Sequence, residues 1–230
     1  MIANEAASNN GVADAIAAFK AGDYGRAFSI FEPAAQTGDM EAQAWLGSLY
    51  ANGTGVVASL PTAFAWYRRA AEQGHVQAAT NVGAMLAMGQ GAPQDRIAGA
   101  EWLSRAADQG DQMAQYNLAT LLSKGDGVPL DNKRAVDLYR RGAETGHYPS
   151  QARLGHLYAN GLGVEKDRVA AFAWLYLAGR HGVGTALTAL EALIAEMSGE
   201  EKQRGLAFAQ KWRGRTASGS APATINPIPA

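Results

Sequence analysis

One period runs through this chain without an insertion or a deletion. It shows at Leu46, Val82, Leu118 and Leu154, and again at Gly55, Gly91, Gly127 and Gly163, a spacing of 36 residues (91 − 55 = 36, 127 − 91 = 36). The second half of the unit keeps step, with Trp66, Trp102, Leu138 and Trp174, then Gly74, Gly110, Gly146 and Gly182. A fixed period of this size predicts a solenoid, in which each unit buries its apolar face against its neighbours rather than in one central core. Within a unit the apolar residues recur at three- and four-residue spacing, as in Leu46, Leu49 and Tyr50, which predicts paired helices and an all-α chain.

The period sets the boundaries. Residues 1–11 are polar and expected to be flexible. Residues 12–39 form an atypical terminal repeat, with a first helix from Val12 to Ala21, Gly22 as its stop and Asp23 as the next cap. Pro33 falls inside the second helix of that pair and is expected to kink it. Four full repeats follow at 40–75, 76–111, 112–147 and 148–183. In each, helix A takes about the first dozen residues. Helix B begins after a capping residue, Ser59, Asp95, Asp131 or Asp167. Gly47, Gly83 and Gly155 recur in mid-helix A, where glycine is costly, and predict close helix–helix approach. Residues 184–212 are expected to supply two capping helices, the second starting at Ser198. Residues 213–230, rich in Ser, Ala, Thr and Pro, are expected to be disordered.

Composition narrows the function classes. Hydrophobic residues make up 47%, but the longest apolar run, Val169 to Ala178, is about half of what a bilayer crossing needs, so no membrane insertion is expected. A net charge of −1 gives no basic surface for nucleic acid. The absence of cysteine removes disulfides, thiol nucleophiles and thiolate metal sites. The opening MIANEAASNNG has neither a basic region nor an apolar core, so it is not a signal peptide. The chain is then cytoplasmic, or, if a signal peptide has been removed, periplasmic or secreted.

The residues Ala42, Leu46, Gly47, Tyr50, Gly53, Gly55 and Val56, followed by Ala63, Trp66, Tyr67, Ala70, Ala71 and Gly74, resemble the Sel-1-like repeat, a relative of the tetratricopeptide repeat. Leu154, Gly155, Tyr158, Gly161, Gly163, Val164, Asp167, Ala171, Trp174 and Gly182 fit the same pattern. The second repeat departs most, with Leu86 for the tyrosine, Ala92 for the valine and Gly99 for the alanine. The resemblance implies a right-handed α/α superhelical solenoid that acts as an adaptor in bacterial signalling or envelope assembly. It also implies that helix A lines the concave side.

Other motifs carry structural readings. The four Gly-x-Gly loops lack the third glycine and the lysine of a phosphate loop, and are expected to supply positive φ where the chain leaves helix A. His75 and His147 share one repeat position in the links between repeats, which are expected to be exposed, and no metal-ligand spacing occurs. Arg69, Arg105 and Arg141 each precede an acid by three residues (Glu72, Asp108, Glu144), which predicts a solvated ladder of ion pairs. Trp66, Trp102 and Trp174 alternate with Leu138 and are expected in the core, so Trp102→Ala should cost about 3–5 kcal/mol. Trp45 aligns with Asn81, Asn117 and Arg153, and the sequence leaves open whether it is core or an exposed anchor. No nucleophile–base set or carboxylate pair stands out, and no enzyme, cofactor or metal is expected.

These readings combine into a binding scaffold for a peptide or protein segment, expected to be a monomer. Its groove-facing candidates are Glu41, Ser48, Asn52, Gln77, Thr80, Met88, Met113, Tyr116, Thr120, Lys124, His156 and Asn160. The surface is mixed and nearly uncharged, suited to an extended peptide or a helix. An envelope protein binding glycan or peptidoglycan fragments is the alternative, and a hydrolase a more remote one.

Overall fold

The computed structural model describes residues 2–213, with side chains from residue 11 onward. The segment expected to be disordered, 213–230, lies outside the described residues from position 214 on. Twelve α-helices and no strand are found among the described residues. Within two compact units, 2–111 and 112–213, each helix packs on the next in sequence, except that the last packs on the tenth rather than the eleventh.

The first unit contains α1 (Ile2–Lys20), α2 (Tyr24–Gln36), α3 (Met40–Asn52), α4 (Leu60–Glu72), α5 (Val76–Met88) and α6 (Arg96–Asp108). The helix α1 starts at Ile2 rather than Val12. Its inner face joins α2 and α3 in a core of Val12, Ala15, Ala27, Phe31, Leu46 and Leu49. Pro33 stays within α2, which ends three residues later, where Thr37 Oγ1 donates to the Pro33 and Ala34 carbonyls. The second unit contains α7 (Gln112–Lys124), α8 (Asn132–Glu144), α9 (Tyr148–Asn160), α10 (Arg168–Arg180), α11 (Gly184–Glu196) and α12 (Gly199–Gln210). Both α11 and α12 pack on α10. Ser198 and Glu201 form a reciprocal capping box at the start of α12, satisfying two otherwise orphaned backbone donors.

Local chemistry explains the helix ends. Ser59, Asp95, Asp131 and Asp167 each accept from backbone N–H groups in the first turn of their helix B. Gly53 caps α3 at φ 66°, and Gly55 follows at φ 73°, so both need the left-handed region that only glycine enters freely. The mid-helix glycines mark close approach. A β-carbon on Gly83 would stand 2.7 Å from Leu103 Cγ and 2.8 Å from the Gly99 carbonyl oxygen, and Gly47 and Gly155 face Tyr67 and Leu175 in the same way.

Helix A is extensively buried in the first three repeats. In α3 eight consecutive residues, Ala42 to Leu49, are buried. Gln43 and Gln151, equivalent residues of the first and fourth repeats, each donate Nε2 to the last turn of the preceding helix B-type element, to the Ala35 and Ala143 carbonyls at 3.1 Å. These carbonyls also accept the Gly38 and Gly146 N–H groups, so each buried amide takes up remaining acceptor capacity at the helix end.

Helix B departs from expectation on its outer face. Arg69 Cζ lies 4.7 Å from the Trp66 ring centre, and Arg105 Cζ lies 5.1 Å from that of Trp102. Stacking on the ring three residues earlier replaces the expected pairs with Glu72 and Asp108. Glu72 instead pairs with Arg68 at 2.8 Å. Trp66 and Trp102 are half-buried under these arginines, whereas Trp174 is 3% exposed and packs edge-on to Phe208. The full core cost foreseen for Trp102 therefore belongs to Trp174.

Candidate binding surface

The twelve candidate residues of helix A divide by burial. Glu41, Asn52, Lys124, His156 and Asn160 are exposed, and Gln77, Met88 and Met113 are half-buried. Ser48, Thr80, Tyr116 and Thr120 are buried. The fifth and ninth positions turn inward in the first three repeats, where Ala44, Ser48, Thr80, Ala84, Tyr116 and Thr120 are all buried. Their polar atoms serve the fold. Thr80 Oγ1 donates to Asp111 Oδ1 at 3.0 Å, with the Val76 carbonyl oxygen 3.3 Å away. Thr120 Oγ1 donates to the Tyr116 carbonyl and meets Tyr139 Oη, both at 2.9 Å.

The exposed asparagines are partly engaged. Asn52 Nδ2 donates to the Ser48 carbonyl at 2.9 Å, and Asn160 Nδ2 donates to the His156 carbonyl at the same distance. Each amide is thereby pinned along its own helix. Asn52 Nδ2 also reaches Ser48 Oγ at 3.4 Å and Asn160 Nδ2 lies 3.3 Å from His156 Nδ1, so what each amide still offers is its Oδ1 acceptor.

In the first unit, Glu41 organises the strip. Trp45 Nε1 donates to Glu41 Oε1 at 2.9 Å, and Glu41 Oε2 lies 3.3 Å from His75 Nε2. The hydrogen bond with His75 is the main reason the Glu41 carboxyl titrates below its ordinary range. Trp45 is not an exposed anchor: it is 7% exposed and lies 5.5 Å from Phe31, nearly parallel, with Phe19 tilted against it. His75 is not in an open link either, since its Nδ1 accepts from the Ala78 N–H at 3.1 Å as a helix cap.

Beside this group lies a narrow crevice lined by Glu41, Ala44, Trp45, Tyr67, His75 and Asn81, among others. Its enclosed space is about 10 Å³, room for about one water. The Tyr67 hydroxyl is buried at its wall without a hydrogen-bond partner. Burial pushes its pKa up, and the neighbouring Ser48 hydroxyl opposes that shift.

In the second unit Tyr116 occupies the equivalent place. Tyr116 sets its ring edge-on to Tyr139 at 5.6 Å and to His147 at 5.3 Å. His147 Nδ1 lies 2.7 Å from Ser150 Oγ, and burial pushes the imidazole pKa down to about 4. Farther along, His156 joins Ala152, Arg153 and Leu175 around a cavity of about 70 Å³.

Among the described residues no helix is long and apolar enough to cross a membrane, and no three His, Cys, Asp or Glu side chains converge as metal ligands.

Comparison with known proteins follows this geometry. The Sel1 repeat family model matches residues 41–75, 76–111, 112–147 and 149–183. No curated protein matches. Among solved structures, the chain is similar to a protective antigen of uropathogenic Escherichia coli displaying an SLR fold, with 29% identity and a TM-score of 0.78. That match covers 87% of this chain and 46% of the antigen, so the chain spans under half of the antigen's length. It is also similar to a Sel1 repeat protein from Oxalobacter formigenes, with 28% identity, a TM-score of 0.72, and coverage of 87% of this chain and 84% of the other. A Sel1 repeat protein from Klebsiella pneumoniae, 22% identical at a TM-score of 0.53 over 81% of this chain and 92% of its own, shares the fold.

Proposed function

Because this chain belongs to the Sel1 repeat family, whose members are commonly protein-interaction scaffolds, we propose that it is a non-enzymatic adaptor that holds a peptide or protein segment against the exposed strip of helix A. One observation carries the reading. The thirteenth residue of each repeat changes identity, Asn52, Met88, Lys124 and Asn160, yet stays at the surface, exposed in three cases and half-buried at Met88. A position that the fold leaves free to vary, at one register of successive helices, is where a repeat protein can encode a partner. The amide oxygens of Asn52 and Asn160 suit backbone N–H donors of an extended segment, and Met88 adds an adaptable apolar contact. Roles in signalling or envelope assembly belong to this same proposal.

The test is selection from an unbiased library of displayed peptides on the full chain, with muropeptides titrated in parallel by calorimetry. Enrichment of peptides that bind at the micromolar level or tighter supports the scaffold. Saturable binding of muropeptides with no peptide enriched contradicts it and favours a glycan-fragment receptor.

A further inference from the structure

The first and third repeats share a constellation that the other two lack. Tyr67 and Tyr139 occupy one position, His75 and His147 a second, and the hydroxyl residues Ser48 and Thr120 a third, each pair 72 residues apart (139 − 67 = 72). The second and fourth repeats carry Leu103 and Leu175 in place of the tyrosine, and Asp111 and Val183 in place of the histidine. The two tyrosine–histidine repeats differ at the residue that should fill the space between those side chains. The third repeat has Tyr116 there, and the first has Ala44.

The consequence is physical. Tyr116 covers Tyr139 and His147 with an aromatic ring, edge to face with each. Ala44 offers only a methyl group, and beside it the crevice walled by Tyr67, His75 and Trp45 keeps about 10 Å³ of enclosed space, so a ring can enter only as the Glu41 bridge opens. Tyr139 Oη also has its partner in Thr120, whereas Tyr67 Oη, on a residue 2% exposed, has none. A buried hydroxyl without a partner is rare in folded proteins and is held at a cost in stability. The Glu41 carboxylate, half exposed, reaches over the mouth from Trp45 to His75.

From this we infer that the crevice of the first repeat is a socket for an aromatic side chain of a bound partner, a tyrosine or phenylalanine seated where Tyr116 sits in the third repeat. The ring enters edge-on to Tyr67 and His75, displacing the Glu41 bridge from His75, and the Tyr67 hydroxyl donates to an oxygen of the incoming segment. Such aromatic pairs and a satisfied buried hydroxyl both favour the occupied state. The inference rests on the helix A surface proposed above and gives it one defined specificity: an aromatic residue in the partner.

The socket is tested apart from the scaffold by titrating the full chain with N-acetyl-tyrosinamide and, separately, N-acetyl-leucinamide, followed by amide and aromatic NMR shifts. The expected result is saturable shifts at Ala44, Trp45, Tyr67 and His75 with the aromatic amide and none with the leucine amide. Ala44→Tyr, which supplies from within the ring that the third repeat has, should abolish the response. Should Ala44→Tyr disturb folding, Tyr67→Phe keeps the ring and removes the donor, and should weaken the tyrosine amide severalfold. Absence of shifts at these residues, an equal response to the leucine amide, or an unchanged response in folded Ala44→Tyr overturns the socket. Peptides that bind helix A without an aromatic residue would leave the scaffold standing while the socket falls. A socket that responds with no peptide ever selected would do the reverse.

Discussion

Tyr67 and Tyr139 offer a matched pair of substitutions with opposite expected signs. Both rings are buried, at 2% and 1% exposure, and both stand at the same position of their repeats. Thr120 Oγ1 spends its single proton on the Tyr116 carbonyl, so Tyr139 must be the donor in the 2.9 Å contact between the two hydroxyls. Tyr139→Phe removes that bond and should cost about 1 kcal/mol. Tyr67→Phe removes a hydroxyl that has no partner, which relieves a desolvation penalty of about 1–3 kcal/mol. The two variants should therefore lie about 2 kcal/mol or more apart, with wild type between them. For a chain of this length 1 kcal/mol moves the melting temperature by roughly 2–4 °C. Because each repeat leans on its neighbours, hydrogen exchange gives the more direct reading. Protection in α3 and α4 should rise in Tyr67→Phe, and protection in α7 and α8 should fall in Tyr139→Phe. Equal losses in both variants would refute the contrast, and would mean that the Tyr67 hydroxyl has a partner in solution.

Three further outcomes follow from the packing. His147 has a pKa of about 4 in the fold against about 6.5 unfolded, so the unfolded chain binds the extra proton between those values and stability is lost as pH falls from 6.5 to 4, by up to about 3 kcal/mol. Denaturant titrations over that window should show a steeper loss for wild type than for His147→Gln. Gly83→Ala should cost about 1–3 kcal/mol despite alanine's better helix propensity, because the new β-carbon meets Leu103 and the Gly99 carbonyl, and urea midpoints will read it. Trp174→Ala should cost about 3–5 kcal/mol, and Trp102→Ala clearly less, since only Trp174 is enclosed.

The fold was legible because repetition isolates what packing demands. Four copies in phase exposed the caps at Ser59, Asp95, Asp131 and Asp167, the left-handed glycines and the close contacts at Gly47, Gly83 and Gly155. The candidate surface was legible only in part. The second and thirteenth positions stay at or near the surface, but the ninth turns inward in the first three repeats, where Ser48, Ala84 and Thr120 are buried, and His156 alone is exposed. Periodicity could not show this, because a helix enclosed on several sides has no sharp apolar stripe to mark its open edge. Trp45 was undecidable for a different reason. Its cover comes from Phe19 and Phe31, in the atypical first pair, and no other repeat has such a neighbour to compare. The stacking of Arg69 and Arg105 on tryptophans competed with acidic partners at equal sequence spacing, and spacing alone does not rank the two.

The central claim is that partners are held by helix A. The most direct measurement compares the affinity of one selected peptide for two double variants, each checked for an unchanged melting temperature. Asn52→Ala with Asn160→Ala changes only the exposed strip of helix A, and Arg69→Ala with Arg141→Ala changes only the exposed side of helix B. The account predicts that the asparagine pair weakens binding about tenfold or more, equivalent to about 1.4 kcal/mol, and that the arginine pair leaves it intact. Loss of binding in the arginine pair with none in the asparagine pair would contradict it and move the functional face to helix B.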